Sequence, residues 1–415
     1  MKKVVIAGTS VYGIENQGDE AMLNVFCREL RANLPDVEIT LLARHPSKAL
    51  DELHGVRSIK NLEHDSKEES MGRWFYGLNP GDPTDHLREI RKEIEACDLL
   101  VIGGDPFAEI SLGFYRGLAP YAALLITIAK FLEKPVMLYG IHIGRKLKTD
   151  LGKELTKFCI SNSDLVTLRE EFSRKAILDL GISDKNTVVL ADSAFGLNPI
   201  DNKEMGQDVL DKEGIQFKSD KVVGITFRHE YWHWGKSEWD YYSTELAKTY
   251  DYLVREFGFD LLFIPNCTYD IDNYYEDDRP VAKESVEKMK YKDHAHQITG
   301  KYNLFETLSL YRHIDMMFSN RRHSLIFAAV NGVPPVGCGG EWHIKPALDE
   351  LSVGDKFVKI EDLNADLLKK SLCETWNNRE QIIKNMKEVL PKLREKALQH
   401  GKLAADLIKR KGGGK

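Results

Sequence analysis

The run Ser319-Asn320-Arg321-Arg322-His323-Ser324-Leu325-Ile326-Phe327-Ala328-Ala329 puts two guanidinium groups and an imidazole on three consecutive residues. A guanidinium fork binds phosphate or carboxylate bidentately. An imidazole has a reference pKa near neutrality and can pass a proton in either direction. The apolar residues Ile314 to Phe318 before this run read as a buried strand, and Ser319 and Asn320 are both good N-cap residues. Leu325 to Val330 then reads as a buried helix, stopped by Gly332 and followed by Pro334 and Pro335. Arg321, Arg322 and His323 are therefore expected in the first turn of a helix, at the carboxyl end of a strand. Open α/β sheets bind ligands there, and free N–H groups with the helix dipole favour anions there. The alternative is a solvated basic first turn, which the dipole disfavours.

Other residues fit the same chemistry with less specificity. Arg169 ends the run Leu165 to Leu168 and either enters a cleft or pairs with Glu170 or Glu171. Arg228 ends the run Val222 to Phe227 and precedes His229-Glu230-Tyr231-Trp232-His233-Trp234, a cluster that could stack on a sugar ring or pack on itself. Lys345 follows Gly339-Gly340-Glu341-Trp342-His343-Ile344 and alone carries little information. Near the start, Gly8-Thr9-Ser10-Val11-Tyr12-Gly13-Ile14-Glu15-Asn16-Gln17-Gly18-Asp19-Glu20-Ala21 links a strand to a helix, but its glycines and lack of Lys match neither a P-loop nor GxGxxG. Asn16 and Asp19 could bond hydroxyl groups there, or simply cap the helix. Gly103-Gly104-Asp105 marks a second strand end, either a tight turn or a close approach to a ligand. No nucleophile elbow or HExxH is present, so hydrolase and zinc-peptidase chemistry lack support. Together the arginines and His323 suggest a small, multiply anionic ligand.

Alternating short β-rich runs and helical patterns must position these groups. Val4 to Gly8, Val37 to Ala43, Leu99 to Ile102, Pro135 to Tyr139, Leu165 to Leu168 and Thr187 to Leu190 read as strands, with helices over residues 19–33, 86–97, 119–131, 151–161 and 171–180. His64 to Asp85 reads as a loop. This rhythm argues for a parallel, doubly wound sheet over residues 1–200. The polar stretch Phe195 to Asp220 breaks it, and a second α/β domain is expected over 218–373. Residues 374–410 form a charged helical tail that Pro391 should kink or split, with fraying ends after it. At 415 residues, 42% hydrophobic and 29% charged, the composition is that of a soluble globular protein. The formal charge of −6 gives no basic footprint for nucleic acid. Cys27, Cys97, Cys159, Cys267, Cys338 and Cys373 are scattered without a CxxC pair, so no structural zinc is expected. The apolar run Leu118 to Leu132 holds Pro120 and Lys130 and is too short to span a bilayer, so a reducing cytoplasm is the expected location.

Three ordered motifs resemble the polysaccharide pyruvyl transferase family. The first is Asn16-Gln17-Gly18-Asp19-Glu20-Ala21, close to that family's Asn-x-Gly-Asp-Glu-Ala. The second is Arg169-Glu170-Glu171-Phe172-Ser173 with Leu180-Gly181-Ile182 and Ala191-Asp192-Ser193-Ala194-Phe195. The third is Arg321-Arg322-His323-Ser324-Leu325-Ile326-Phe327-Ala328 with Gly332-Val333-Pro334. Three positions depart from the family's pattern: Asp105 stands where a third glycine is usual, Ser193 replaces a proline, and Arg322 replaces a leucine.

The resemblance implies two Rossmann-like domains facing a cleft, similar to B-type glycosyltransferases, with the first domain on the acceptor side, the second on the donor side and the tail packing back on the first. It implies transfer of pyruvate from phosphoenolpyruvate to a sugar or lipid-linked oligosaccharide, closing a ketal across two hydroxyls. In that reaction His323 would be the general acid/base and Arg321 would hold the leaving phosphate. Arg169 would hold carboxylate or phosphate, with Arg228, Arg322, Asn16, Asp19 and Lys345 as further substrate contacts. No redox cofactor and no metal are expected. A lipid-linked acceptor would bring the protein to the inner face of the membrane. Two other readings remain open: a nucleotide-sugar glycosyltransferase using the same cleft, and an inactive carbohydrate-binding protein.

Overall fold

The fold is given by a computed structural model. It describes residues 1–8, 16–62, 85–104, 107, 118–143, 150–229, 236–268, 277–340 and 343–412. The expected loop His64 to Asp85, apart from Asp85 itself, which opens a helix, Asp105, residues 9–15 and the aromatic residues Tyr231 to Trp234 lie outside these.

Two compact units share the chain. Residues Met1–Ile14, Asp19–Gly196 and Arg394–Lys415 form the first, and Glu15–Gly18 with Leu197–Leu393 form the second. The chain changes unit between Gly196 and Leu197. The polar stretch that follows is not only linker, because it holds the helix Glu204–Lys212. Gly206 lets that helix approach Ser309 and His313 more closely than a Cβ would permit.

The first unit holds a seven-stranded parallel sheet in the order β3-β2-β1-β4-β5-β6-β7. The strands are β1 (Lys3–Ala7), β2 (Glu38–Ala43), β3 (Arg57–Lys60), β4 (Leu99–Gly103), β5 (Val136–Ile141), β6 (Leu165–Leu168) and β7 (Thr187–Val189). Leu99 to Ile102 and Val136 to Tyr139 are apolar at every position and buried on both faces, as parallel strands covered by helices require. The sequence pattern did not mark β3, whose Arg-Ser-Ile-Lys offers a single buried apolar residue.

The second unit repeats the plan with six parallel strands in the order β10-β9-β8-β11-β12-β13. These are β8 (Val222–Thr226), β9 (Asp260–Phe263), β10 (Ala295–Gln297), β11 (Met316–Ser319), β12 (Pro335–Gly339) and β13 (Phe357–Lys359). In each sheet the strand order reverses once, between β1 and β4 and between β8 and β11. Ligands bind at such switch points, beyond the carboxyl ends of the strands.

The tail departs from expectation. Asn378, not Pro391, separates its helices, which are Ala365–Asn377 and Arg379–Gly412. Pro391 lies inside the second helix without ending it. Residues up to Leu393 count with the second unit, so only the later part of the tail belongs to the first. There Ala404, Ala405, Leu407 and Ile408 join the core around Val4, Ile6, Met22, Phe26 and Tyr139. His400 is buried among them, with Nδ1 2.9 Å from Thr167 Oγ1 and Nε2 2.9 Å from the Ala191 carbonyl. A carbonyl only accepts, so Nε2 carries a proton. Burial pushes its pKa down to about 4.

Candidate active site

The second switch point gathers the residues that could do chemistry. Ser319 ends β11 and donates through Oγ to the Thr226 carbonyl at the end of β8. Its Oγ also accepts the backbone N–H of Arg321 at 2.8 Å. Asn320, 1% exposed, fixes the next turn of β8: its Oδ1 accepts the Arg228 N–H at 2.8 Å and its Nδ2 donates to the Arg228 carbonyl at 3.0 Å. Ser319 and Asn320 therefore join two strand ends rather than cap the helix. The N-cap is Arg321, extended at φ −101°, ψ 118°, and the helix is Arg322–Val330. That helix is buried over Leu325 to Ala329, and Gly332, in the left-handed region at φ 78°, follows its end.

Arg321 is 6% exposed and points its Nε and Nη2 at one oxygen of Asp278, at 3.0 and 2.6 Å. The other Asp278 oxygen accepts the backbone N–H groups of Asn266 and Cys267, at 2.9 and 3.0 Å. Burial pushes the Asp278 carboxyl up, while Arg321 and the two amides pull against that rise. Arg322, expected as an added cation beside a ligand, is 1% exposed and pairs with Glu350 at 3.5 Å. His323 is half-buried, with its ring 6.2 Å from that of Phe327. The His323 ring also abuts Gly18, where a Cβ would overlap Nδ1, Cγ and Cε1.

Residues Glu15–Gly18 count with the second unit, and their contacts show why. Asn16 forms an antiparallel bridge with Cys267. Gln17 donates its N–H to the Asn266 carbonyl at 2.9 Å and its Nε2 to the Tyr302 carbonyl at 2.8 Å. The Asn16 side chain accepts the Gly18 N–H at 3.1 Å, the capping alternative. Asp19 lies in the first turn of the helix Gln17–Asn33. Asn16 and Gln17 thus pair with the loop that Asp278 holds, and Gly18 lies against the ring of His323.

Lys345 opens the helix Lys345–Glu350 and pairs with Asp349 on its surface at 2.6 Å. His229 packs against Trp239 with centroids 4.4 Å apart, and burial pushes its pKa down to about 4. Arg169 belongs to the first unit and is 2% exposed, between Asp192 at 3.6 Å and Glu170 at 3.5 Å. The pairing with Glu170 is one of the two options that the sequence offered for it. Glu170 also accepts from the Ser173 hydroxyl and lies 2.8 Å from His142 Nδ1. This network ties the Arg-Glu-x-x-Ser motif to Asp192 of the second motif's last segment. Among the described residues, no group of three His, Cys, Asp or Glu could hold a metal ion, and no helix is long and apolar enough to cross a membrane.

Sequence reasoning missed Asp278, His142 and the packing role of Gly18. Asp278 looks like an ordinary acidic helix start in Asp277-Asp278-Arg279-Pro280, and only the fold brings it to Arg321.

A family model described as polysaccharide pyruvyl transferase matches residues 16–341. The chain belongs to the polysaccharide pyruvyl transferase family. The match begins at Asn16 and ends just past Gly340, so it spans all three motifs. The amylovoran biosynthesis protein AmsJ of Erwinia amylovora is 22% identical over 430 residues, covering 98% of this chain and 99% of that protein. Among solved structures, the UDP-GlcNAc 2-epimerase from Neisseria meningitidis, bound to UDP-GlcNAc, is similar with a TM-score of 0.62 and 13% identity, over 99% of this chain and all of that one. Anabaena Alr3699/HepE in complex with UDP-glucose gives 0.62 and 9% identity, over 100% of both chains. These likenesses concern the fold, that of two Rossmann-like domains.

Proposed function

We propose that this pyruvyl transferase takes pyruvate from phosphoenolpyruvate and closes it as a ketal across two hydroxyls of a sugar used in polysaccharide synthesis. The observation that carries the reading is Arg321 and His323 together at the switch point of the second sheet. Phosphoenolpyruvate brings a phosphate and a carboxylate, which suit a guanidinium held at a strand end. His323 delivers a proton to the methylene carbon, and the adjacent carbon becomes cationic. A sugar hydroxyl adds to that carbon and gives up its proton. The carbon–oxygen bond to phosphate then breaks, and the second hydroxyl closes the ring with loss of its proton. The products are the ketal and inorganic phosphate. Arg321 steadies the departing phosphate. Arg169, enclosed by Asp192 and Glu170, fits a role in holding its own unit better than one on the donor. The acceptor class follows the relative named for amylovoran biosynthesis.

The test incubates the protein with phosphoenolpyruvate and candidate glycan acceptors. The expected result is acceptor-dependent phosphate release with a pyruvate-sized mass gain on the glycan. Consumption of a UDP-sugar with no phosphate release would assign it to glycosyl transfer instead. Glycan binding without turnover of either donor would make it a binding protein.

A further inference from the structure

We propose that Asp278 is the positioning residue for Arg321, and that without it Arg321 does not present its guanidinium to an anionic donor. The inference rests on the assignment of Arg321 to the donor. Asp278 is 2% exposed and makes four hydrogen bonds, two to each carboxylate oxygen. One oxygen takes the Nε and Nη2 of Arg321, which fixes the plane of the guanidinium and commits one of its edges. The other oxygen takes the N–H groups of Asn266 and Cys267, beyond the end of β9. The Asp278 N–H in turn donates to the Cys267 carbonyl at 3.1 Å. One carboxylate thus locks the loop after β9 to the turn after β11. The Asn266 carbonyl of that same loop receives the N–H of Gln17.

The chemistry demands a carboxylate. All four partners are N–H donors, and a carboxylate accepts at both oxygens. In Asp278→Asn the amide NH2 faces either the guanidinium or the two backbone amides, whichever way it is turned. Removing Arg321 alone leaves a buried carboxylate without its cation, whereas removing both leaves no unpaired charge.

The experiment uses the full chain, with phosphoenolpyruvate as the probe and calorimetry as the readout. Arg321→Ala should weaken binding roughly tenfold to a hundredfold, the worth of a charge-assisted hydrogen bond. Free guanidinium chloride, far below unfolding concentrations, should fill the vacated place beside Asp278 and restore most of that loss. Potassium chloride at the same ionic strength should not. In Arg321→Ala/Asp278→Ala the same guanidinium should restore nothing. Equal rescue in both backgrounds would overturn the positioning role and leave the donor assignment of Arg321 standing. Undiminished binding by Arg321→Ala would overturn both. If Arg321→Ala does not fold, the cycle of Arg321→Lys, Asp278→Asn and their combination decides the question. Coupling in donor affinity above about threefold supports the proposal, and strict additivity overturns it.

Discussion

Gly18→Ala separates the chemical role of His323 from its structural surroundings. Gly18 lies in the first turn of the helix Gln17–Asn33, and its backbone is not in the left-handed region that only glycine tolerates. Alanine is the better helix former by up to about 1 kcal/mol, so the backbone alone would be stabilised or unchanged. The added methyl, however, would overlap three atoms of the His323 ring. The neighbouring helix backbone is fixed by the bonds of Gln17 to Asn266 and Tyr302, so the ring must yield. Ordinary van der Waals separation requires it to move by well over 1 Å, and a displacement of even about 1 Å costs on the order of a hundredfold in rate at a catalytic group. The assay compares turnover, calorimetric binding of phosphoenolpyruvate and melting temperature on one folded preparation. The expected outcome is turnover reduced about a hundredfold, donor binding near wild type because Arg321 is untouched, and a melting temperature within a few degrees of wild type, as a change of about 1 kcal/mol allows. Wild-type turnover in a folded Gly18→Ala protein would refute the reasoning, because it would show that the position of the ring is unimportant.

Three further outcomes follow from the same geometry. Arg321→Lys keeps the charge but loses the double contact to Asp278, so stability should fall by about 1–3 kcal/mol and donor affinity by roughly tenfold; a lowered melting temperature with unchanged affinity would show that the work of Arg321 ends at Asp278. His323→Ala should cut turnover roughly a hundredfold to ten-thousandfold while donor binding survives, and turnover retained per folded molecule would remove the general-acid assignment. For His400, the folded protein prefers the neutral ring and holds its pKa at about 4, below the ordinary 6.5. Its contribution is complete above 6.5 and is lost as pH falls from there towards 4, an effect of order 3 kcal/mol. Chemical denaturation from pH 7.5 to 4.5 should show this slope, and His400→Gln should flatten it; an unchanged slope would place the pH dependence on other groups.

The fold was legible wherever a strand is buried on both faces. Leu99 to Ile102 and Leu165 to Leu168 carry that signal in composition alone, because a central parallel strand has no polar side to show. The edge strands β3, β10 and β13 were not legible. They are three or four residues long, half-exposed and mixed in polarity, and pairing rather than composition makes them strands. Pro391 shows a further limit. A proline in a helical pattern predicts a kink or a split from the loss of one backbone donor, and the split does not occur here, because the helix runs through it. The break falls instead at Asn378, three residues beyond a fully buried Thr375.

The candidate site was legible in its residues and not in its connections. Arg321, Arg322 and His323 are consecutive, and their position after a strand could be read directly. What each touches could not, because the partners come from other parts of the chain: Asp278 lies 43 residues before Arg321, and Glu350 lies beyond β12. The three neighbours therefore have different surroundings. Arg322 is buried against Glu350, Arg321 is anchored on Asp278, and His323 is the half-buried member, beside Gly18. That contrast bears on chemistry. A proton donor must reach its substrate, while an arginine whose carboxylate partner is buried with it is fixed in place before any ligand arrives. Preorganisation of this kind removes the cost of ordering a long side chain at the moment of binding. It also gives the first motif a reason to contain glycine at position 18. Any larger residue there would compete with the His323 ring for the same space, so the Asn-x-Gly-Asp motif near the start of the chain and the Arg-x-His motif three hundred residues later are two halves of one packing arrangement.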